Sequence, residues 1–360
     1  QVIGVLAHEM GHITGGHLAR LDGALDDARN QALIGQLVGI AIGLLARDAG
    51  VAAAGTAAGT GVAVKNLLKY SRAQEQSADQ VAVNLLDQTE ISARGLLEFF
   101  ELMQDQELLV RARQDDYVVT HPLTRDRMSF IRNHVAKSRH SDNQLPTVLQ
   151  AMHDRMVAKL KGFINPPART LNEFKADDPS VMARYARAVA YYRDARLTEA
   201  LPIISGLIAE APDDPYFHEL KGQVLFENGK LEEALPEYQK AVDLRPKQPL
   251  LRVGLAHVQL ELNRDDLLPV ALGHIKQALR YDNTMPLSWR LAATAYGRNG
   301  ELGLSALALA EHNLLIGRHL DAEGQAKKAV RLLSANSPGW LRAQDIAATA
   351  ERARRKRKDQ

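Results

Sequence analysis

The chain has 360 residues, of which 46% are hydrophobic, 24% charged and 5% aromatic. These are globular proportions, and they exclude a chain that is disordered throughout. The absence of cysteine excludes disulfides, thiolate metal sites and a cysteine nucleophile. The formal net charge is +2, and residues 351–360 contribute six basic and two acidic side chains to it, so the remainder is slightly acidic. We therefore expect no nucleic-acid partner.

Hydrophobic spacing predicts helices for much of the first half of the chain. The segments with this pattern are 1–21, 62–86, 92–106, 123–137 and 145–163. A short extended segment is expected at 116–120, where His121-Pro122 ends it. Asn165-Pro166-Pro167 follow the last of these helices and predict a linker. The chain opens at Gln1 without a methionine or a signal-peptide pattern, so we expect a processed or shortened form.

Two segments after the first helix have a distinct composition. Residues 30–46 carry no charge, but they include three amides and three glycines. Because a transmembrane helix needs about 20 apolar residues, we interpret this run as a buried or surface-docking helix, with a membrane span as the alternative. Residues 50–61 consist mainly of Gly and Ala. They predict a mobile lid or loop, with a tightly packed small-residue helix as the alternative.

The second half of the chain contains a repeat. Pro212 and Pro246 are 34 residues apart, and so are Pro215 and Pro249. Small and apolar residues of the 215–248 unit recur in register in the units before and after it. This spacing resembles the tetratricopeptide repeat, in which two antiparallel helices pack closely. Four units in register predict an α-solenoid, whose concave groove commonly receives a peptide or a partner protein.

The first helix carries the motif with the clearest chemistry. His8-Glu9-Met10-Gly11-His12 has the pattern H-E-x-x-H. On a helix the two histidines lie about 40° apart, so both imidazoles can bind one metal ion. Glu9 can reach a water on that ion without being a ligand. Zinc lowers the pKa of such a water to about 7, and a carboxylate can accept its proton. The motif predicts one zinc ion per chain, with Glu9 as general base; chance occurrence is the alternative.

A third ligand must come from elsewhere in the chain. If the first helix continues, His17 lies 180° from His8 and cannot join the site. A carboxylate is then expected, and the best candidate is Glu75, with Asp79 four residues later on the same helix face. We expect Glu75 to bind the metal and Asp79 to accept the spare N–H of a histidine ligand. The alternative is a solvated face that carries both carboxylates.

Further motifs accompany H-E-x-x-H in the first half of the chain. Residues 70–79 read Y-S-R-A-Q-E-Q-S-A-D, and Thr120-His121-Pro122-Leu123 and Arg127 follow. With H-E-x-x-H, they resemble the zinc peptidases of the HtpX and CAAX-prenyl-protease class over residues 1–137. The resemblance implies His8, His12 and Glu75 as zinc ligands and Glu9 as general base. With the repeats behind it, the resemblance also implies a role in outer-membrane protein quality control in the Gram-negative periplasm.

His121 and Arg127 carry separate predictions. We expect a catalytic role for His121, either as a fourth ligand that blocks the catalytic water or as a group that stabilises the developing oxyanion. A residue that merely leads into a helix starting at Pro122 is the alternative. We expect Arg127 to bind a substrate carboxylate or to pair with Asp126 or Glu75. The remaining histidines show no ligand spacing and are expected to be structural or at the surface; among them are His17, His134, His140, His153, His218 and His257.

These observations predict a mostly α-helical chain. Residues 1–165 form a gluzincin-like catalytic core with little or no sheet, 166–350 a tetratricopeptide-repeat solenoid, and 351–360 a basic, solvated tail. The predicted activity is zinc-dependent endopeptidase cleavage of protein clients, with the repeats docking a client or an assembly partner. The tail allows peripheral contact with an anionic membrane. A non-catalytic adaptor or chaperone with a structural zinc is the alternative; a membrane-embedded lipid-processing peptidase would need long apolar spans.

Overall fold

The structure is a computed structural model that describes residues 1–17, 71–107, 121 and 123–356, together with 20, 23, 30, 32 and 33. The chain forms two compact units, Gln1–Gln150 and Ala151–Gln360. The described residues are mostly helical and contain no β-strand, which confirms the predicted fold class. No helix among them combines the length and the apolar character that crossing a bilayer requires.

The amino-terminal unit is built from four described helices. They are α1 (Val2–Thr14), α2 (71–88), α3 (Arg94–Glu107) and α4 (Arg125–Lys137). Their buried apolar side chains form one core, which includes Ala7, Ala82, Val83, Leu86, Leu96, Phe100, Met128 and Ile131. The predicted segments 50–61 and 116–120 lie outside the described residues, and so does 30–46 apart from three of its positions.

The first helix is shorter than the sequence predicts. Hydrophobic spacing predicts a helix over 1–21, but α1 ends at Thr14, just before two glycines. Gly16 adopts a φ of 62°, a left-handed conformation that glycine tolerates and that commonly follows the end of a helix. The direction of the chain therefore changes before His17.

Two glycines allow α1 to approach its neighbours closely. A Cβ added at Gly4 would lie 2.8 Å from Leu96 Cβ on α3, and one added at Gly11 would lie 2.6 Å from the carbonyl oxygen of Ala78 on α2. Real Cβ atoms do not come this close to other heavy atoms. The backbone of α1 consequently rests directly against α2, which brings the face with the two motif histidines close to Glu75.

The second compact unit starts at Ala151, inside α5 (Thr147–Ile164), and α5 packs against the first repeat. Ala158 of α5 belongs to the same buried cluster as Tyr185 and Val189. The predicted linker is correspondingly short, since a further helix, α6 (Pro167–Glu173), starts at its last proline.

Antiparallel helix pairs follow, and they confirm the predicted repeat array. The helices are α7 (Val181–Arg193), α8 (Leu197–Glu210), α9 (Pro215–Glu227), α10 (Leu231–Leu244), α11 (Pro249–Glu261), α12 (Leu268–Tyr281), α13 (Pro286–Arg298), α14 (Leu302–Leu315), α15 (His319–Leu332) and α16 (Pro338–Lys356). The predicted tail begins inside α16, where Arg354 lies 3.4 Å from Glu323 of α15. Its first residues are therefore helical.

One contact recurs at the start of successive repeats. His218 Nε2 lies 3.0 Å from the carbonyl oxygen of Pro212, and the same six-residue step joins Arg252 Nε to the Pro246 oxygen at 2.6 Å. In the next repeat Trp289 Nε1 donates to the Asn283 oxygen at 2.7 Å. Three different nitrogen-bearing side chains thus bind the loop that precedes their own helix, which accounts structurally for His218 and Trp289.

Tyr238 of α10 packs between two glycines of the neighbouring helices. A Cβ at Gly222 would lie 2.7 Å from Tyr238 Cδ2, and one at Gly254 would overlap the opposite edge of the same ring. Tyr238 itself is 7% exposed. The ring therefore fills the space that the two absent side chains leave.

We predict that Gly254→Ala destabilises the repeat unit. Its added methyl group forces Tyr238 to move, and overpacking of this kind costs about 1–3 kcal/mol. The control is Gly273→Ala in α12, where an added Cβ would meet no atom within 4 Å; its better helix propensity should raise stability by up to about 1 kcal/mol. Urea unfolding followed by circular dichroism measures both, and equal midpoints for the two variants would contradict the tight fit at Tyr238.

Candidate metal centre

The two motif histidines of α1 and Glu75 of α2 converge on one point. His8 Nε2 and His12 Nε2 lie 3.1 Å apart. His8 Nε2 is 3.3 Å from Glu75 Oε2, and His12 Nε2 is 3.3 Å from Glu75 Oε1. His8 and Glu75 are buried, and the His12 side chain is 16% exposed. Two ring nitrogens and a carboxylate therefore face each other at nearly equal distances.

His121 joins this group from the segment before α4. Its Nδ1 lies 3.1 Å from Glu75 Oε1, and its ring centroid lies 5.0 Å from that of His12. One ligand atom from each of His8, His12, Glu75 and His121 lies within 4.8 Å of the other three. On its other edge, His121 Nε2 is 3.9 Å from Glu9 Oε1, and the Glu9 side chain keeps 37% of its surface exposed. His121 thus lies beside both the carboxylate and the predicted base.

The distances and the donor types fit a zinc ion. In a tetrahedral site with zinc about 2.0–2.1 Å from nitrogen and oxygen ligands, the ligand atoms lie about 3.3 Å apart. His8 Nε2 and His12 Nε2 lie 3.1 Å apart, and each of them lies 3.3 Å from one oxygen of Glu75. Imidazole and carboxylate are also ligands that zinc accepts readily.

Asp79 lies behind His8. Asp79 Oδ1 is 2.9 Å from His8 Nδ1, the ring nitrogen that faces away from the cluster. This is the contact that the spacing of Glu75 and Asp79 on one helix face predicts. With its proton on Nδ1, His8 presents the lone pair of Nε2 to the metal position.

Arg127 holds both carboxylates of α2. Its Nε and Nη2 lie 2.7 and 2.9 Å from the two Asp79 oxygens, and Nη1 lies 2.8 Å from Glu75 Oε2. The guanidinium also stacks 4.8 Å from the centre of the Phe100 ring. Arg127 is 1% exposed. Of the expected roles of Arg127, the pairing with Glu75 is the one that these contacts contain, whereas binding of a substrate carboxylate stays a prediction.

The charges of the cluster favour a cation. Burial alone would raise the pKa of the Glu75 carboxyl, but hydrogen bonds with His12, His121 and His8 and the charge of Arg127 hold that pKa well below its usual range. Burial lowers the pKa of His8, whereas Asp79 and Glu75 raise it, and the net shift is upward. Glu75 is thus ionised at neutral pH. Binding of a metal must displace any proton from His8 Nε2.

His17 is the residue of this site that sequence analysis missed. The prediction that His17 lies on the opposite face assumed a continuous helix, whereas α1 ends before it. His17 Nδ1 lies 3.0 Å from His12 Nδ1, and the residue is 7% exposed. Burial, together with the neighbouring His12 and Arg20, lowers the pKa of His17. The signal in the sequence was Gly15-Gly16, a pair typical of a helix end.

The comparisons with known proteins agree with this geometry. Residues 1–135 match peptidase family M48. Residues 168–215 and 185–249 match a tetratricopeptide repeat family. The M48 family is one of metalloproteases, which implies a metal cofactor, and the four-residue cluster lies within the matched range.

Two curated relatives show how far the similarity extends. The beta-barrel assembly-enhancing protease of Escherichia coli strain K12 is 28% identical over 274 residues, which are 72% of this chain and 53% of the relative. Metalloprotease YcaL of the same strain is 29% identical over 140 residues, 39% of this chain and 50% of the relative. The chain thus spans about half the length of the curated relatives it matches.

A solved structure of MamA is also similar to part of this chain. It is 20% identical, with a TM-score of 0.38, and the match covers 48% of this chain and 97% of MamA.

We predict that Asp79→Asn weakens zinc binding about 10- to 100-fold. The neutral amide no longer balances the Arg127 charge and accepts the His8 N–H less strongly. Competition with a chromophoric chelator measures the affinity, and circular dichroism verifies that the variant is folded. Asp142→Asn is the control, because the Asp142 side chain is 90% exposed and pairs with Arg94 at the surface. Equal zinc affinities for the two variants would show that Asp79 does not support the site.

Proposed function

We propose that this protein is a zinc-dependent endopeptidase of the gluzincin type. The observation that carries the proposal is the convergence of His8, His12 and Glu75, with Glu9 beside them, inside an M48-matching domain. The three residues would hold one zinc ion per chain. Bound zinc would polarise the scissile carbonyl and make a water nucleophilic near neutral pH.

Residues of the chain would transfer the proton and hold the metal ligands in position. Glu9 accepts a proton from the attacking water and delivers it to the leaving amine, since its side chain is exposed at the edge of the cluster. Asp79 and Arg127 fix the directions of His8 and Glu75 through buried contacts. These contacts support a ligand set whose geometry exists before any substrate arrives, which lowers the cost of reaching the transition state.

Protein clients are the substrate class that we propose. The similarity to the beta-barrel assembly-enhancing protease spans 72% of the chain. We therefore propose a role in quality control of outer-membrane proteins in the periplasm of a Gram-negative bacterium. The repeat array would dock a misfolded or stalled client or an assembly partner, as stacked helix pairs commonly do.

A second candidate is a non-catalytic adaptor with a structural zinc. The contact between His121 and Glu75 favours it, because His121 would provide a fourth protein ligand. Structural zinc sites usually have four protein ligands, whereas catalytic sites keep one position for water. In the enzyme, the same contact would mean that His121 closes the site until it moves away.

We predict that Glu9→Gln retains zinc and loses proteolysis. The amide keeps the size of the side chain but cannot accept a proton, so casein cleavage should fall by about 10²- to 10⁴-fold. Metal analysis should find one zinc per chain in both proteins, and a chelator should abolish cleavage by the parent. The control is Glu101→Gln, a surface residue paired with Arg132, which should cleave normally. Parent-like cleavage by Glu9→Gln would overturn the assignment of the base.

We predict that His121→Ala raises casein turnover. Removal of the fourth donor would leave a metal position open to water, while His8, His12 and Glu75 still bind zinc. Turnover and zinc content are measured together for the parent and the variant. Lower turnover would support oxyanion stabilisation by His121, and unchanged turnover would leave it as a residue that leads into α4. Zinc binding without cleavage in both proteins would favour the adaptor.

A further inference from the structure

We propose that His17 is a positioning residue for the zinc ligand His12. In this assignment His17 Nδ1 accepts a hydrogen bond from His12 Nδ1–H, which keeps the lone pair of His12 Nε2 directed at the metal position. The inference rests on the proposed metal-binding function of the site.

The two nitrogens of His12 face different partners. Nε2 lies 3.1 Å from His8 Nε2 and 3.3 Å from Glu75 Oε1, so it belongs to the ligand cluster. Nδ1 lies 3.0 Å from His17 Nδ1. A neutral imidazole has one donor and one acceptor nitrogen. Because Nε2 must offer its lone pair to the ion, the proton of His12 is on Nδ1, and His17 Nδ1 is the acceptor.

The chain places His17 there through its two glycines. Gly16 adopts the left-handed conformation that turns the backbone after α1. A Cβ at Gly15 would overlap the imidazole of His17, so the ring occupies space that only glycine leaves open. Gln74 Nε2 lies 3.5 Å from the His17 carbonyl oxygen, which ties this turn to α2 beside Glu75. The backbone turn at Gly16 and the free space beside Gly15 together place the His17 ring next to His12.

The two histidine ligands are therefore supported in different ways. His8 has the carboxylate of Asp79 at 2.9 Å, and His12 has the imidazole of His17 at 3.0 Å. The carboxylates of Glu75 and Asp79 already pair with the single guanidinium of Arg127. A third carboxylate behind His12 would add a further charge to this buried group, whereas an imidazole acceptor directs the ring without adding one.

The zinc affinity of the 360-residue chain tests the assignment through two variants of His17. His17→Phe keeps a ring but removes the acceptor, and we expect affinity to fall at least about 10-fold. His17→Asn places an amide oxygen where the ring had Nδ1, because both atoms are bonded to Cγ; we expect affinity within about threefold of the parent. Competition with a chromophoric chelator measures all three proteins, and circular dichroism of the metal-free chains verifies folding.

Nitrogen NMR of the His12 ring gives a second readout without activity. In the zinc-loaded parent and His17→Asn we expect a proton on Nδ1, protected from exchange with solvent; in His17→Phe this proton should exchange faster. Gly15→Ala should reproduce the Phe result, since its methyl group displaces the His17 ring. Equal affinity of the parent and His17→Phe would overturn the inference, and so would equal losses in Phe and Asn. A parent that binds no zinc would instead refute the proposed function.

Discussion

The amino-terminal unit depends on the burial of two carboxylates around one guanidinium. Glu75 and Asp79 are 3% exposed or less, and Arg127 contacts both of them. An isolated carboxylate in such a place costs several kcal/mol, and removal of one member of a buried pair is strongly destabilising. The ion pair with Arg127 therefore makes it feasible to hold the ionised Glu75 carboxylate beside His8 and His12. The remaining attraction for positive charge suits a divalent metal ion.

Backbone packing converts this charge arrangement into a precise site. Gly11 lies within the H-E-x-x-H motif, at the point where α1 rests against Ala78 of α2. Because neither backbone is held away by a side chain there, the histidines of one helix reach the carboxylate of the other. His121 and His17 then approach from segments outside these two helices. The site thus combines two helices in direct backbone contact with side chains from two other segments.

The repeat unit follows a different physical principle. Each helix pair buries small residues against the next, and a side chain near the start of a first helix binds the preceding loop, as His218, Arg252 and Trp289 do. These contacts are local and recur with the repeat. The register of the repeats could therefore be predicted from spacing alone, whereas the position of α5 could not. Its packing against Tyr185 and Val189 joins residues far apart in sequence, and no periodic pattern encodes it.

The sequence by itself determined the helical class and the repeat array, and it predicted that His8, His12 and Glu75 come together, because these follow from spacing along single helices and from ligand chemistry. Only the tertiary structure decided which partners surround that site. Arg127 pairs with buried carboxylates, and His17 returns to His12 after a glycine turn. Helical periodicity predicts which residues share a face only within one continuous helix. It does not predict the path of the backbone after Gly15-Gly16, and it does not predict which charged side chains pair in the interior.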